Sequence, residues 1–431
     1  MKKKIAVIGA GIGGMAAAYD LALSGCDVTI FEKESFPGGL AAGFKKNNWE
    51  WSLEKYYHHW FEKDKSILSL INELGLVENV IFHRPKTVVY YQRDFYPLDS
   101  PMAALKYPGF SFADKVRFGL VTVYLRYLAG WKPLERVTAH KWMKKYYGET
   151  VYEQLFEPLL IGKFSSFYQE VNMAWFWARF KARSTRLGTY RGGFQAFLDD
   201  FANQLISKDV RFRYDISITR IAPTVDKKIS LQIGNQKETF DQVLATVAPG
   251  ILAHLAPDLG KKYREKINNL KGIGAVMLIF SLKHPLSKEK YYWYNLPKSA
   301  GYPFLALVEH TNFVSKKYFN NEHLVYCGDY LESSHEYFSL TKSQLIDRFI
   351  PGLKRINPDF DSTWVNDAWL YRTPFAQPVP PINHSENILD IRTPIENLYL
   401  ASMSQVYPWD RGTNFAVELA RRAVELMKSD W

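Results

Sequence analysis

At 431 residues the chain is long for a single hydrophobic core and suits two domains, and its 47% hydrophobic and 23% charged content is that of a folded globular protein. Two cysteines, Cys26 and Cys327, exclude a disulfide framework or a cysteine metal cluster within the chain, so no metal site is expected. The formal charge of +11 comes without zinc-ligand spacing, basic repeat or RNA-binding aromatic signature, which argues against nucleic acid and leaves an anionic substrate or an anionic membrane surface.

Apolar sequence begins almost at once: Lys4 to Ile8 reads as a short buried strand and residues 12–24 as a helix, with Gly9, Gly11 and Gly14 at the turn between them. Gly9 permits the tight turn, Gly11 lets a pyrophosphate approach the backbone, and Gly14 lets helix and strand pack closely, while the helix start offers unpaired N–H groups to the anion. Residues 28–31 form the next strand, and Glu32 at its end accepts from ribose hydroxyls and repels a 2′-phosphate, against NADP. Pro37-Gly38-Gly39 follows, either a plain turn or a loop folding back over the pyrophosphate of a long dinucleotide. Met1-Lys2-Lys3-Lys4 leads directly into the first strand and no apolar run reaches a bilayer span, so the expected setting is cytoplasmic, with peripheral attachment at the inner face of the membrane.

From 90 to 186 the sequence turns aromatic, basic and helix-like, punctuated by Pro97, Pro101, Pro108 and Pro133. Over 114–131, Leu120, Val121, Tyr124, Leu125 and Leu128 share one helical face and Lys115, Thr122 and Arg126 the other; the apolar stripe is expected to face a core, with a membrane-lying helix as the alternative. After Gly192-Gly193 the pattern predicts a helix over 194–206, a strand-like stretch over 210–221, and strands over 229–233 and 242–247. Strands over 275–282 and 324–330 form a second half of the insert. A last buried strand over 398–401 leads through Asp410, Gly412, Thr413 and Asn414 into a closing helix with Ala416, Leu419, Ala420, Ala423 and Leu426 on one side. Its start can meet the N1–C2=O edge of an isoalloxazine, which selects FAD over NAD; an ordinary Asn-capped helix is the alternative. Gly272-Ile273-Gly274 lacks a third glycine and a following acid, so no second fingerprint is present for a nicotinamide cofactor. The expected fold is α/β: a discontinuous Rossmann-type FAD-binding domain (1–85, 188–270 and 373–431) with an inserted α+β substrate domain (86–187 and 271–372).

These features together resemble the FAD-dependent amine oxidase superfamily, in particular its protoporphyrinogen oxidase-like and phytoene desaturase-like branch. Gly9-x-Gly11-x-x-Gly14, Glu32 and Gly38-Gly39 match its FAD motif. Phe156-Glu157-Pro158-Leu159-Leu160-Ile161-Gly162-Lys163-Phe164 is similar to its substrate-domain segment, and Tyr190-Arg191-Gly192-Gly193-Phe194-Gln195 to the glycine pair that re-enters the FAD domain. The resemblance implies that Gly9, Gly11, Gly14, Glu32, Gly38 and Gly39 hold adenosine and pyrophosphate, that the Ile218 backbone contacts adenine, and that Asp410, Gly412, Thr413 and Asn414 approach the ribityl chain and flavin ring. Two departures stand out: Leu40 where the family often has Arg, and Lys55-Tyr56-Tyr57-His58-His59 in place of its usual Gly-Pro.

The candidate catalytic residues are His58, His59 and Lys163. The paired imidazoles suit anion binding, protonation of a product or a covalent flavin link, and a ring satisfied by a backbone carbonyl is the alternative; adjacent side chains diverge, so one at most faces the flavin. Lys163 lies near the flavin or in a surface turn. Trp175, Phe176 and Trp177 are candidate pocket walls or plain core. The expected activity is hydride transfer from a hydrophobic or polycyclic small molecule to flavin N5, with oxygen or a quinone as electron acceptor. The alternative is a sugar-nucleotide mutase of the UDP-galactopyranose mutase type, using a diphosphate-binding arginine pair from Arg179, Arg183 and Arg186.

Overall fold

The computed structural model describes residues 2–431. Strand Lys4–Ile8 is flanked on both sides by partners, so its backbone groups are paired twice and its apolar run is buried on both faces. It is the centre of a five-stranded parallel sheet in the order Arg211–Arg213, Asp27–Phe31, Lys4–Ile8, Gln242–Ala245, Leu398–Leu400. Side-chain alternation divides the two faces. Ile5 and Val7 pack with helices Ile12–Leu23, Phe194–Ile206 and Thr413–Ser429, while Ala6 and Ile8 pack toward a three-stranded antiparallel sheet of Ile218–Pro223, Ile229–Ile233 and Gln236–Phe240.

The stretch 210–221, expected as one strand, is two. Arg211–Arg213 joins the parallel sheet and Ile218–Pro223 the antiparallel one. Between them Asp215 takes a left-handed φ of 56°, and the N–H groups of Asp215 and Ile216 donate to the carbonyls of Glu34 and Glu32 at 3.1 and 2.9 Å. The chain therefore leaves one sheet for the other at the acidic end of the second strand.

A seven-stranded sheet forms the second body of strands, in the order Val365–Pro378, Gly272–Leu282, His323–Leu331, Ala306–Glu309, Trp293–Asn295, Thr87–Tyr91, Asp94–Pro97. All neighbours are antiparallel except Trp293–Asn295 with Thr87–Tyr91, and that one parallel pairing ties residues 87–97 to a sheet otherwise drawn from 272–378. Helix Lys342–Ile356 covers one face through Leu345, Phe349 and Leu353. Helices Phe112–Val123, Ala139–Tyr147, Glu157–Phe164 and Met173–Ala182 enclose a separate aromatic core that includes Tyr147, Phe156 and Phe176.

The helix over 112–128 carries a correction. Its apolar stripe was expected to face a core, yet Leu120 and Leu128 are 68% and 76% exposed and Tyr124 is exposed too. Leu125 is buried and Val121 half-buried, and the inward face is completed by Phe118 and by Thr122, whose hydroxyl shares a hydrogen bond with the Tyr147 hydroxyl at 3.1 Å. The inward stripe is thus 118, 121, 122 and 125, rotated from the sequence-based one, with the Phe118 ring packed among Phe110, Tyr147 and Phe156.

Candidate functional site

The first site element is the turn after Lys4–Ile8. Gly9 has a φ of 108°, and a Cβ on Gly14 would lie 2.0 Å from the Gly9 carbonyl oxygen, so strand and helix meet at a distance only glycine allows. Gly11 is the N-cap of helix Ile12–Leu23, whose first turn has neither an acid nor a side-chain cap. A Cβ on Gly11 would meet nothing within 4 Å. The helix start thus presents unpaired N–H groups and its positive dipole end to open space.

Gly38 and Gly39 fold back on that turn. The Gly38 N–H donates to the Ala10 carbonyl at 2.9 Å, Gly38 bridges Gly11, and Gly39 comes close enough that its Cβ would lie 3.4 Å from the Gly11 Cα. Glu32 is buried at the end of Asp27–Phe31, accepting from the N–H groups of Ala10 at 2.7 Å and Glu34 at 3.0 Å. Each carboxylate oxygen keeps a lone pair for a further donor. Ile218, the first residue of its strand, is buried two residues past the Ile216–Glu32 backbone bond.

The second element lies past Leu398–Leu400. Gly412 is the N-cap of helix Thr413–Ser429, again without a side-chain cap, and a Cβ there would also meet nothing within 4 Å. This helix packs on the first one: a Cβ on Gly13 would sit 3.5 Å from the Ala416 carbonyl oxygen. The side chains at its start are already engaged. Thr413 Oγ1 accepts from Trp60 Nε1 at 3.1 Å, and Asn414 Oδ1 accepts from the N–H groups of Ser66 and Ile67 at 2.8 and 3.2 Å, at the start of helix Lys65–Glu73. The Asn414 side-chain oxygen is thus taken, while the helix start has no side-chain cap for its first backbone N–H groups.

A charged cluster adjoins this second helix start. Asp410 Oδ2 pairs with Arg179 at 2.6 Å and lies 3.9 Å from Arg183, while Oδ1 accepts from Trp175 Nε1 at 3.2 Å. Burial would raise the Asp410 carboxyl, but Arg179, Arg411 and Arg183 hold it down at about 2. Arg411 donates from Nη2 to the Tyr330 hydroxyl at 2.8 Å and from Nε to the Ala376 carbonyl. Lys163, in the last turn of Glu157–Phe164, stands over the Tyr330 ring with its ammonium 4.0 Å from the centroid, and burial lowers it to about 8. Burial works to raise the Tyr330 phenol, yet Arg411 and Lys163 pull it below its ordinary value.

His58 and His59 point to different neighbours. His58 Nδ1 meets the Tyr56 carbonyl at 2.6 Å and its ring lies against Phe194, whereas His59 Nε2 meets the Tyr292 hydroxyl and its ring packs on Phe313. Burial lowers both, to about 4 and about 3, so both rings are neutral at physiological pH and neither supplies a positive charge for an anion. Arg186 stands apart from Arg179 and Arg183, bound to Glu62 and to the Phe82 carbonyl. Phe176 and Trp177 belong to the helical core, and of the three aromatics Trp175 alone donates to Asp410. Tyr330 and Arg411 were not singled out from the sequence. Arg411 sits inside the 410–414 run, but Tyr330 is one more aromatic in an apolar strand and carries no local signal.

Two uncapped helix starts, an inward acid at the second strand and glycine directions left open suit an extended dinucleotide, and FAD fits the residues present. The chain belongs to the flavin-containing amine oxidoreductase family, whose model matches residues 12–427. FAD is accordingly its cofactor. A stretch covering 37% of the chain is 28% identical to the mitochondrial protoporphyrinogen oxidase of Nicotiana tabacum, and spans only 32% of that enzyme. Similarity to the 15-cis-phytoene desaturase of Solanum lycopersicum is lower, 24%, but reaches over 92% of this chain and 73% of the relative. Among solved structures, reduced UDP-galactopyranose mutase has the same fold with a TM-score of 0.78 at 16% identity, over 99% of this chain and 96% of that one.

Proposed function

We propose that this protein is an FAD-dependent oxidoreductase that removes hydride from a carbon of a small molecule with a large apolar body. The observation that carries this reading is the pair of uncapped helix starts, at Gly11 and Gly412, with Glu32 beside the first. Bound FAD supplies the hydride acceptor. Gly9, Gly11, Gly14, Gly38 and Gly39 let the backbone close on the pyrophosphate, Glu32 and Ile218 take the adenosine end, and the N–H groups from Gly412 onward face the ring. The neutral imidazoles of His58 and His59 and the aromatic wall at Trp175 exclude water from the reacting centre. In this reading 1–85, 188–270 and 373–431 bind FAD, 86–187 and 271–372 hold the substrate, and oxygen or a quinone takes the electrons.

The site of action we propose is the inner face of a cytoplasmic membrane. No helix among the described residues is long and apolar enough to cross a bilayer. Met102, Leu105, Phe112, Val116, Leu120, Val123, Tyr127 and Leu128 are nonetheless all exposed on successive helices, with Lys106, Lys115 and Arg126 among them on a chain of charge +11. That combination suits an anionic lipid surface. A second reading, a sugar-nucleotide mutase, is favoured by one observation: Arg179 and Arg183 converge on the same carboxylate beside the second helix start.

Anaerobic mixing with candidate substrates tests the function. Loss of the oxidised flavin band on adding substrate, and no loss with NADPH alone, is the expected result. Saturable bleaching by NADPH overturns it, and turnover without net change in flavin redox state moves the mutase to the front. Flotation with anionic but not neutral vesicles is the expected outcome for the membrane surface, and equal recovery with both removes it.

A further inference from the structure

Tyr330 stands near the end of strand His323–Leu331, with its side chain between two unlike surroundings. Its ring packs with Ile273, Ala275 and Ala376 in a small apolar cluster bordered by Tyr56 and Leu305. Its hydroxyl accepts from Arg411 Nη2 at 2.8 Å, in the loop that runs into the start of helix Thr413–Ser429. Lys163 reaches the same ring from helix Glu157–Phe164, with its ammonium 4.0 Å from the centroid. The Tyr57 hydroxyl lies beside it, from the segment that carries His58 and His59. Three parts of the chain thus bring two cations and a hydroxyl donor to one buried phenol that no step of the proposed reaction has yet used.

Burial would raise the Tyr330 phenol above its ordinary 10, but Arg411 and Lys163 outweigh it and hold the group below that value. Tyr57 adds to their effect as a donor, since burial keeps its own hydroxyl protonated, and burial does the same for Tyr56. Asp410 acts in the opposite sense, but its carboxylate is engaged by Arg179 at 2.6 Å, with Arg183 at 3.9 Å. The His58 ring, lowered by burial, is neutral and adds no charge. An ionised Tyr330 also answers the local charge balance: Lys163, Arg179, Arg183 and Arg411 then face two anions, Asp410 and Tyr330, in a place where like charges repel with little screening. A phenolate held ready in this way, with apolar surface on its other side, has the properties of a proton acceptor at a reacting centre.

We propose that Tyr330 is the general base of the dehydrogenation, taking the proton that the substrate loses from the atom next to the carbon that gives up hydride. The inference rests on the flavin reading and deepens it, because it supplies the proton acceptor that hydride transfer by itself lacks. At the oxidised carbon a C–H bond breaks and its electron pair leaves with the hydrogen as hydride, for which bound FAD is the acceptor. On the adjoining carbon or nitrogen a second bond to hydrogen breaks, its electron pair closes the new C=C or C=N bond, and the proton goes to the Tyr330 oxygen. Arg411 and Lys163 stabilise the phenolate before that step. The proton is returned when oxygen or a quinone takes the electrons, which restores the phenolate for the next turnover. The substrate class is accordingly a saturated carbon–carbon or carbon–nitrogen pair in which both atoms carry hydrogen.

The test begins on the FAD-loaded protein without substrate, by carbon-13 NMR of the tyrosine ζ carbons across a pH titration. One resonance is expected to report an ionisation well below the ordinary phenol value of 10 and to be missing in Tyr330→Phe, which keeps the ring under Lys163 and should bind FAD as wild type does. Lys163→Met should move that ionisation upward by about 1–3 pH units, as loss of a neighbouring opposite charge does. Anaerobic flavin reduction by alkylamines and polyenes gives the second readout. Tyr330→Phe should slow it by at least about a hundredfold with little change in substrate affinity, as loss of a general base does. The acid limb of the wild-type rate profile should follow the NMR ionisation and be absent from the residual rate of Tyr330→Phe. A titration in which no tyrosine ionises well below 10, or a Tyr330→Phe protein that is reduced as fast as wild type, overturns the proposal. Reduction abolished in Lys163→Met but kept in Tyr330→Phe assigns the base to the lysine and overturns it too. A flavin that none of these compounds reduces, in a protein whose tyrosine titration is as expected, defeats the function reading and the base with it; the NMR result tells that failure from failure of the proposal alone.

Discussion

Of the helices that open on glycine, three lie around the glycine turns of the site, and they differ in what meets their first N–H groups. Helix Ile12–Leu23, starting at Gly11, and helix Thr413–Ser429, starting at Gly412, have no side-chain acceptor at the cap. Helix Phe194–Ile206 starts at Gly193, with a φ of 87°, and there the Phe194 N–H donates to the buried Glu54 carboxylate at 2.9 Å. The third start is closed by the protein itself, and the first two are the ones the proposed function gives to FAD. They differ in turn: the Gly11 start has only backbone and Glu32 about it, whereas the Gly412 start adjoins Asp410 and four cations. A helix dipole with close backbone is enough to favour an anion, whereas buried side-chain charges add a local field that depends on which elements pack there.

The sharpest way to break the comparison is at the glycine turn. Gly14→Ala sets a Cβ 2.0 Å from the Gly9 oxygen and should yield no folded soluble protein, whereas Gly11→Val, whose Cβ has open space, should fold with a normal circular dichroism spectrum and purify colourless. A yellow Gly11→Val protein would place the pyrophosphate elsewhere. At the second start, Asp410→Asn leaves the guanidinium of Arg179 without its carboxylate and should cost about 3–5 kcal/mol in denaturant unfolding near neutral pH. Because the Asp410 carboxyl is held at about 2, below its ordinary 3.8, its contribution is complete above 3.8 and fades as pH falls through 2. The gap between wild type and variant should therefore close in acid.

The closed start gives the smallest effect and the opposite sign. Burial raises Glu54 to about 7 from an ordinary 4.5, so the unfolded chain releases that proton first and the native state loses stability as pH rises from 4.5 through 7. Glu54→Gln keeps an acceptor for the Phe194 N–H and should be more stable than wild type by up to about 3 kcal/mol at pH 8, with no gain at pH 4. Equal differences at both pH values would show that Glu54 does not titrate there.

The Rossmann-type reading, the glycine turn and Glu32 were legible in the sequence because everything they need is local. A strand, a turn that tolerates only glycine and a helix are connected within a few residues, and backbone sterics act at that range. The family resemblance followed from the same segments, and residues 12–427 match the family. Only the tertiary structure decided the rest. The helix over 112–128 turns Phe118 into the aromatic core of Phe110, Tyr147 and Phe156, so that Leu120 and Leu128 face outward, a choice made by packing against other elements. The Asn414 side-chain oxygen accepts from the N–H groups of Ser66 and Ile67, a partnership with a distant helix that spacing does not show. Lys163, Arg179, Tyr330 and Arg411 became one electrostatic unit although their positions are far apart in the chain. Periodicity and spacing report on neighbours along the backbone, whereas charge acts through space and is set by which distant elements the packed cores bring within a few ångströms.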